Sequence, residues 1–148
     1  MKIESSPVYL DTSALAKIYV SEPESAELEA ALVGRRDLIV SDLAVTELAS
    51  AVARRVHEGR LQPRDARSVY DRLLRDVTGG EFRRAELTTN VHREAERLLM
   101  RWEQVVRLRA ADALHLALAQ AIGARVLVTF DLRLQTAART LGGFAAVP

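Results

Sequence analysis

Short apolar runs of three or four residues alternate along this chain with longer segments of helical periodicity, and two of the runs lead into aspartate. Val8-Tyr9-Leu10 is followed by Asp11-Thr12-Ser13, and Val126-Leu127-Val128-Thr129 runs into Phe130-Asp131. Runs with no polar alternation suit strands buried on both faces, as the strands of a parallel sheet are. Parallel neighbours need crossover connections, which the intervening helices supply. The pattern therefore predicts an α/β fold: a mostly parallel sheet with helices on both faces.

The punctuation supports this order. A helix follows Asp11 from about residue 14 to 19. Pro23 and the acidic turn Glu24 to Glu27 open a second helix, which closes near Gly34. Leu38-Ile39-Val40 is the second strand, and Ser41 or Asp42 caps a long helix reaching about Glu58 and Gly59. Pro63 begins a helix with apolar positions at Ala66, Val69, Tyr70, Leu73, Leu74 and Val77, ended by Gly79-Gly80. A weaker strand is expected around Ala85 to Thr88, then helices from Val91 to about Trp102 and from about Arg109 to Ile122. A short helix and an apolar run from Phe144 to Val147 finish the chain. No linker or repeat interrupts it, so residues 1–148 read as a single domain, a length able to bury one substantial core.

Composition removes several classes of function. With no cysteine there is neither a disulfide framework nor a thiolate metal site, which fits a reducing cytoplasm. The first seven residues lack the apolar segment of a signal peptide. The most apolar stretch, Ala110 to Ile122, contains Asp112, His115 and Gln120 and is too short to span a bilayer, so no membrane partner is expected. A net charge of +1 implies no polyanion. Only Lys2 and Lys17 of the 21 basic residues are lysine, an arginine bias that suits phosphate recognition but also follows from a GC-rich coding sequence.

Four carboxylates stand out. Asp11 and Asp131 lie just past strand ends, at the edge of an open α/β sheet where ligands bind. Either one alone also reads as a helix N-cap. Asp112 lies in a helix that is apolar on nearly every face, where a carboxylate must be ion-paired, with Arg109 or Arg125 as candidates, hydrogen-bonded, or bound to a metal. Glu47 falls off the apolar stripe formed by Val45, Leu48, Ala49, Val52 and Val56; periodicity places it on a solvated face, though early enough after a strand to reach the same edge as Asp11. His115, one turn after Asp112, reads either as a core hydrogen-bonding residue or as a metal ligand. No glycine-rich phosphate loop and no nucleophile elbow is present.

These residues, in their full strings, resemble the acidic motifs of PIN-domain proteins, with VapC-type toxins the nearest match. The strings are Val8 to Leu15, Thr46-Glu47-Leu48, Leu108 to Ala117, and Val128-Thr129-Phe130-Asp131. The resemblance implies a three-layer α/β/α sandwich. It further implies a ribonuclease using Mg²⁺, for which Mn²⁺ substitutes, held by Asp11, Glu47, Asp112 and Asp131, with the hydroxyls of Thr12, Ser13 and Thr129 nearby. A homodimer and a small antitoxin, through which alone DNA is contacted, are implied as partners beside the RNA substrate. Arg54, Arg55, Arg60, Arg64 and Arg67 cluster at a helix–helix turn that the resemblance places near the groove, as contacts to RNA or to the antitoxin; their other reading is a solvated rim.

Two rivals remain at this stage. An aspartyl-phosphate enzyme would also use Asp11, but it needs a late lysine, and none follows Lys17. A catalytically silent PIN-like module for RNA or protein binding would not need all four acids. Mutual repulsion of clustered acids, if it dominates, predicts that Asp112→Asn leaves the metal-free protein at least as stable as the parent.

Overall fold

A computed structural model describes residues 1–102 and 107–148. Five strands form one sheet: β1 (Val8–Leu10), β2 (Leu38–Ser41), β3 (Arg83–Ala85), β4 (Val126–Val128) and β5 (Ala145–Val147). All four pairings are parallel, and the spatial order is β3-β2-β1-β4-β5. The sheet is thus wholly rather than mostly parallel.

Alternation along the strands sorts the core into two halves. Val8 and Leu10, Leu38 and Val40, and Val126 and Val128 point to one face. There they pack against α1 (Thr12–Tyr19), α2 (Ser25–Leu32), α3 (Asp42–His57) and α4 (Pro63–Gly79). Tyr9, Ile39 and Leu127 point to the other face, against α5 (Thr89–Trp102), α6 (Ala110–Ala121) and α7 (Leu132–Leu141). Strands with both faces covered explain why the runs lack polar alternation. The result is a three-layer α/β/α sandwich.

The winding has one consequence for function. From β1 the chain moves outward through β2 to β3 with α1–α4 on one face. It then crosses back through α5 and α6 to β4 and proceeds to β5 with its helices on the opposite face. The strand order therefore reverses between β1 and β4, the kind of switch point at which open α/β sheets form a ligand crevice beyond the strand C-termini.

Local chemistry sets most boundaries. Asp11 caps α1 through the Ala14 N–H, Ser41 caps α3 through the Ala44 N–H, and Asp131 caps α7 through the Arg133 and Leu134 N–H groups. Pro63 opens α4, which ends at Gly80 in the left-handed conformation a glycine favours. The third strand departs from expectation: Arg83–Ala85 pairs with β2, rather than a segment from 85 to 88. The Leu87 N–H turns to the Asp42 carboxylate, and Arg84 pairs with the same group, so the ladder stops at Ala85. Among the described residues, no helix is long and apolar enough to cross a membrane.

Candidate active site

The four acids and their partners fall into two hydrogen-bonded groups, which adjoin at the consecutive residues Asp11 and Thr12. Asp11, at the end of β1, is only 3% exposed. Its Oδ1 accepts from the Ser13 hydroxyl at 2.7 Å and the Ala14 N–H at 2.9 Å, and its Oδ2 accepts from the Thr129 hydroxyl at 2.6 Å. Thr129 in turn accepts the Asp131 N–H, and Ser13 accepts the Phe130 N–H. These bonds lock the ends of β1 and β4 together. Capping and site formation are therefore not competing readings of Asp11 and Asp131, since both acids cap helices from within the crevice.

All three donors to Asp11 are neutral. Burial pushes its carboxyl above the usual aspartate range, with the nearby His115 and the three hydrogen bonds offsetting only part of that effect. A carboxylate has about four lone-pair sites, so one remains for a further partner. A buried anion lacking a bonded cation, at a sheet switch point, is chemically suited to receive one.

Asp112 lies in the first turn of α6, whose N-terminus faces the same edge. Its Oδ2 accepts the Arg109 backbone N–H at 2.8 Å and Arg133 Nε at 2.6 Å. The Arg133 guanidinium also reaches Asp131 Oδ2 at 3.3 Å. The ion pair considered for Asp112 is real, but its cation is Arg133 rather than Arg109 or Arg125. Arg133 was not singled out from sequence; its position two residues after Asp131 is the signal that was available.

Glu47 projects from α3 and is half-buried rather than fully solvated. Thr12 donates to its Oε2, and His115 Nε2 lies 2.8 Å from the same oxygen. Burial acts to raise its carboxyl, but the bonds to His115 and Thr12 outweigh burial and hold it below the usual glutamate range. Behind His115 the network continues into the core. Its Nδ1 lies 2.7 Å from the Tyr9 hydroxyl, which lies 2.8 Å from Ser41 Oγ. The sequence marks Ser41 as a helix cap but not as a partner of Tyr9, and Tyr9 itself is hidden among the apolar neighbours of its strand; a buried phenol nevertheless needs a polar partner.

The donor set consists of carboxylate and hydroxyl oxygens, which fit a hard cation such as Mg²⁺. Among the described residues, no three Asp, Glu or His side chains form a ready-made metal cage. Arg133 instead neutralises Asp112 and Asp131. No donor among the described residues reaches Glu47 Oε1 or Asp112 Oδ1, so each acid retains an oxygen for a ligand. A cavity of about 660 Å³ between β3, α5 and α6 is lined by none of the four acids.

The arginines at the α3–α4 turn divide. Arg55 is ion-paired with Glu22, which also binds Lys17, and the Lys17 ammonium sits 4.8 Å from the centre of the Phe130 ring beside Asp131. Arg54, Arg60 and Arg64 are exposed, with only loose pairs to Glu58 and Asp65. Arg67 is exposed as well.

The PIN domain family matches residues 8–140. The chain belongs to the PIN-domain family. Among its PIN-domain relatives, Ribonuclease VapC46 of Mycobacterium tuberculosis is 34% identical over 149 residues, covering 95% of this chain and 97% of the relative. Solved PIN-like folds superpose on it closely. The M. tuberculosis VapC20, described as a sarcin-ricin loop cleaving toxin, gives a TM-score of 0.69 at 19% identity, covering 88% of this chain and 95% of its own. VapBC2 from Rickettsia felis, bound to a DNA fragment from its promoter, gives 0.68 at 17% identity, with 95% and 96% covered.

Proposed function

We propose that this PIN-domain protein is a divalent-metal-dependent ribonuclease, the toxin of a type II toxin–antitoxin pair, with Asp11, Glu47, Asp112 and Asp131 as its metal-holding acids. The observation that carries the reading is Asp11: a buried carboxylate at the β1/β4 switch point, bonded only to neutral donors and joined through the Thr129 hydroxyl to the backbone of Asp131. The name and coverage of the VapC relative support RNA as substrate. The toxin description of VapC20 and the promoter-bound VapBC2 support an antitoxin partner that makes the DNA contact. A homodimer in the cytoplasm belongs to the same reading.

Held by these acids, Mg²⁺, or Mn²⁺ in its place, would supply a water of lowered pKa and positive charge for phosphodiester hydrolysis. The chain's own residues do the rest. Ser13 and Thr129 hold both oxygens of Asp11 in place, and Thr12 with His115 holds one oxygen of Glu47. Arg133 offsets the charge of Asp112 and Asp131, and its guanidinium is of the kind that would also suit an RNA phosphate. Arg54, Arg60 and Arg64 extend a cationic rim toward the backbone of the substrate.

A cleavage assay on RNA with Mg²⁺, with Mn²⁺ and with EDTA tests this directly. Cleavage is expected with either metal and is lost in EDTA. Asp11→Asn and Asp112→Asn should each lower the rate at least a hundredfold. Undiminished cleavage by either folded variant, or cleavage that persists in EDTA, overturns the assignment; metal-dependent RNA binding without cleavage would instead mark a silent module.

A further inference from the structure

The Tyr9–Ser41–His115 network consists of three buried polar side chains whose outer end is Glu47. Tyr9 and Ser41 are 0% exposed and His115 is 3% exposed. They come from three different elements: Tyr9 from β1, Ser41 from the end of β2, and His115 from α6. Apolar residues of similar size would fill these positions without the cost of burying polar groups, so the network calls for an explanation beyond packing.

Donor bookkeeping narrows its state. Ser41 Oγ already accepts the Ala44 N–H at the cap of α3, leaving its hydroxyl proton to donate to Tyr9. Burial keeps the Tyr9 phenol far above its ordinary value, so it retains its proton as a donor. Donation from Tyr9 to His115 Nδ1 leaves the imidazole proton on Nε2, facing Glu47 Oε2. If the hydroxyls run the other way, Nδ1 must donate to Tyr9. Nε2 must then still carry a proton, because a bare lone pair 2.8 Å from a carboxylate oxygen is repulsive. Thr12 Oγ1, 3.2 Å from Nε2, gives its proton to Glu47 Oε2 and so offers Nε2 only a lone pair; both directions therefore place an N–H on Nε2.

We propose that His115 is a positioning residue for Glu47: anchored through Nδ1 by Tyr9 and Ser41, it donates from Nε2 to Oε2 and presents Oε1 to the catalytic metal. The role goes beyond the acid set and rests on the metal-dependent reading above. His115 itself is not a metal ligand in this arrangement, since both ring nitrogens are engaged. The device couples the layers of the fold. Glu47 belongs to α3 on one face of the sheet and His115 to α6 on the other, and the pair meets at the strand ends. Ser41 serves the same purpose at the backbone level, capping the helix that carries Glu47 while holding the tyrosine that orients the histidine. Groups that orient a metal ligand in this way typically change affinity by ten- to a hundredfold when removed.

The test combines nitrogen NMR of His115 with Mn²⁺ titration of the full chain by calorimetry. Long-range proton–nitrogen correlation should find Nε2 protonated in the metal-free protein; a bare Nε2 with the proton only on Nδ1 overturns the proposal. His115→Leu should bind Mn²⁺ about tenfold to a hundredfold more weakly than wild type. His115→Gln, whose amide N–H can replace Nε2–H, should recover most of the loss. Tyr9→Phe removes a single oxygen from the core and should also weaken Mn²⁺ binding, which keeps the test open if the leucine variant does not fold. Wild-type affinity in folded His115→Leu or Tyr9→Phe, or glutamine faring no better than leucine, overturns the positioning role and leaves the metal reading intact. Wild type that binds no Mn²⁺ overturns the metal reading first, and Glu47 positioning with it.

Discussion

Asp11 and Asp112 are both buried acids of one site, yet their surroundings predict opposite responses to loss of charge. Asp11 is bonded only to neutral groups, and burial raises its carboxyl above the usual range. A raised folded-state value means that the folded protein binds more protons than the unfolded one. Without metal, stability therefore falls as pH rises from the ordinary aspartate range through the raised value. Asp11→Asn removes the charge and keeps the shape. Its amide oxygen still accepts from Ser13 and Ala14, and Thr129 can turn to accept from its amide nitrogen. In EDTA near neutral pH this variant should melt above wild type and show a flatter acid-to-neutral profile. Melting curves across pH decide it; a lower melting temperature at every pH would show that Asp11 is held by its hydrogen bonds as a structural cap. Asp112 reverses the sign. Arg133 compensates it at 2.6 Å, so Asp112→Asn should cost about 1.5–3 kcal/mol in EDTA, the range for a hydrogen bond to a charged group. The sequence, with Arg133 unplaced, favoured no loss. A metal-free Asp112→Asn as stable as its parent would show that Arg133 transfers wholly to Asp131.

At the scale of elements, the α1–α2 loop and the α3–α4 turn explain why arginines that look alike in sequence divide. Glu22 lies between Lys17 of α1 and Arg55 of α3, and Lys17 also reaches Glu24 and the Pro23 carbonyl. Burial pushes the Glu22 carboxyl up, but Arg55 and Lys17 outweigh it and bring it below the usual range. Its contribution is therefore present above the unfolded-state value and lost as pH falls through the lowered one. Arg55→Ala should cost about 1–2 kcal/mol at neutral pH, less in acid, as expected for a partly buried charged hydrogen bond. Chemical denaturation at pH 7 and pH 4 measures the difference, and an equal cost at both values would remove Glu22 from the account. Arg60→Glu with Arg64→Glu should leave stability unchanged but weaken RNA binding and flatten its dependence on salt, because exposed arginines act by releasing counterions from phosphates. Binding curves with an unchanged salt slope would make these residues a solvated rim. The same contrast marks what was legible. Strands ending in aspartate, caps at Asp11, Ser41 and Asp131, and an acid inside an apolar helix are local signals, and they located the crevice. The roles of Glu47, Tyr9, Ser41 and Arg133 depend on partners brought from other elements by the winding of the chain, which periodicity within one element does not encode. The displaced third strand has the same origin, since Asp42 draws away the Leu87 N–H.

For the molecule as a whole, the site bridges the helical layers on the two faces of the sheet. Asp11 follows β1, Glu47 belongs to the α3 face, and Asp112 and Asp131 stand at the starts of α6 and α7 on the other face. A cation shared by acids from both faces would bind the folded arrangement and have no counterpart in the unfolded chain. Binding must then stabilise the entire fold by mass action, by about 2.7 kcal/mol when free metal is a hundred times its dissociation constant. Arg133 opposes this gain, because its positive charge beside Asp112 and Asp131 repels an incoming cation and already offsets the charge that would attract it. Arg133→Ala should therefore lower the melting temperature in EDTA, by loss of the ion pairs, yet increase the upward shift produced by a fixed concentration of Mg²⁺ or Mn²⁺. Asp11→Asn should do the converse, starting higher and shifting little. Thermal melts of wild type and the two variants, in EDTA and across a metal titration, distinguish these responses. Equal metal shifts in all three proteins would place the binding cation outside the β1/β4 crevice. A loss of the shift in Arg133→Ala would make Arg133 a support of the metal-holding geometry rather than its competitor.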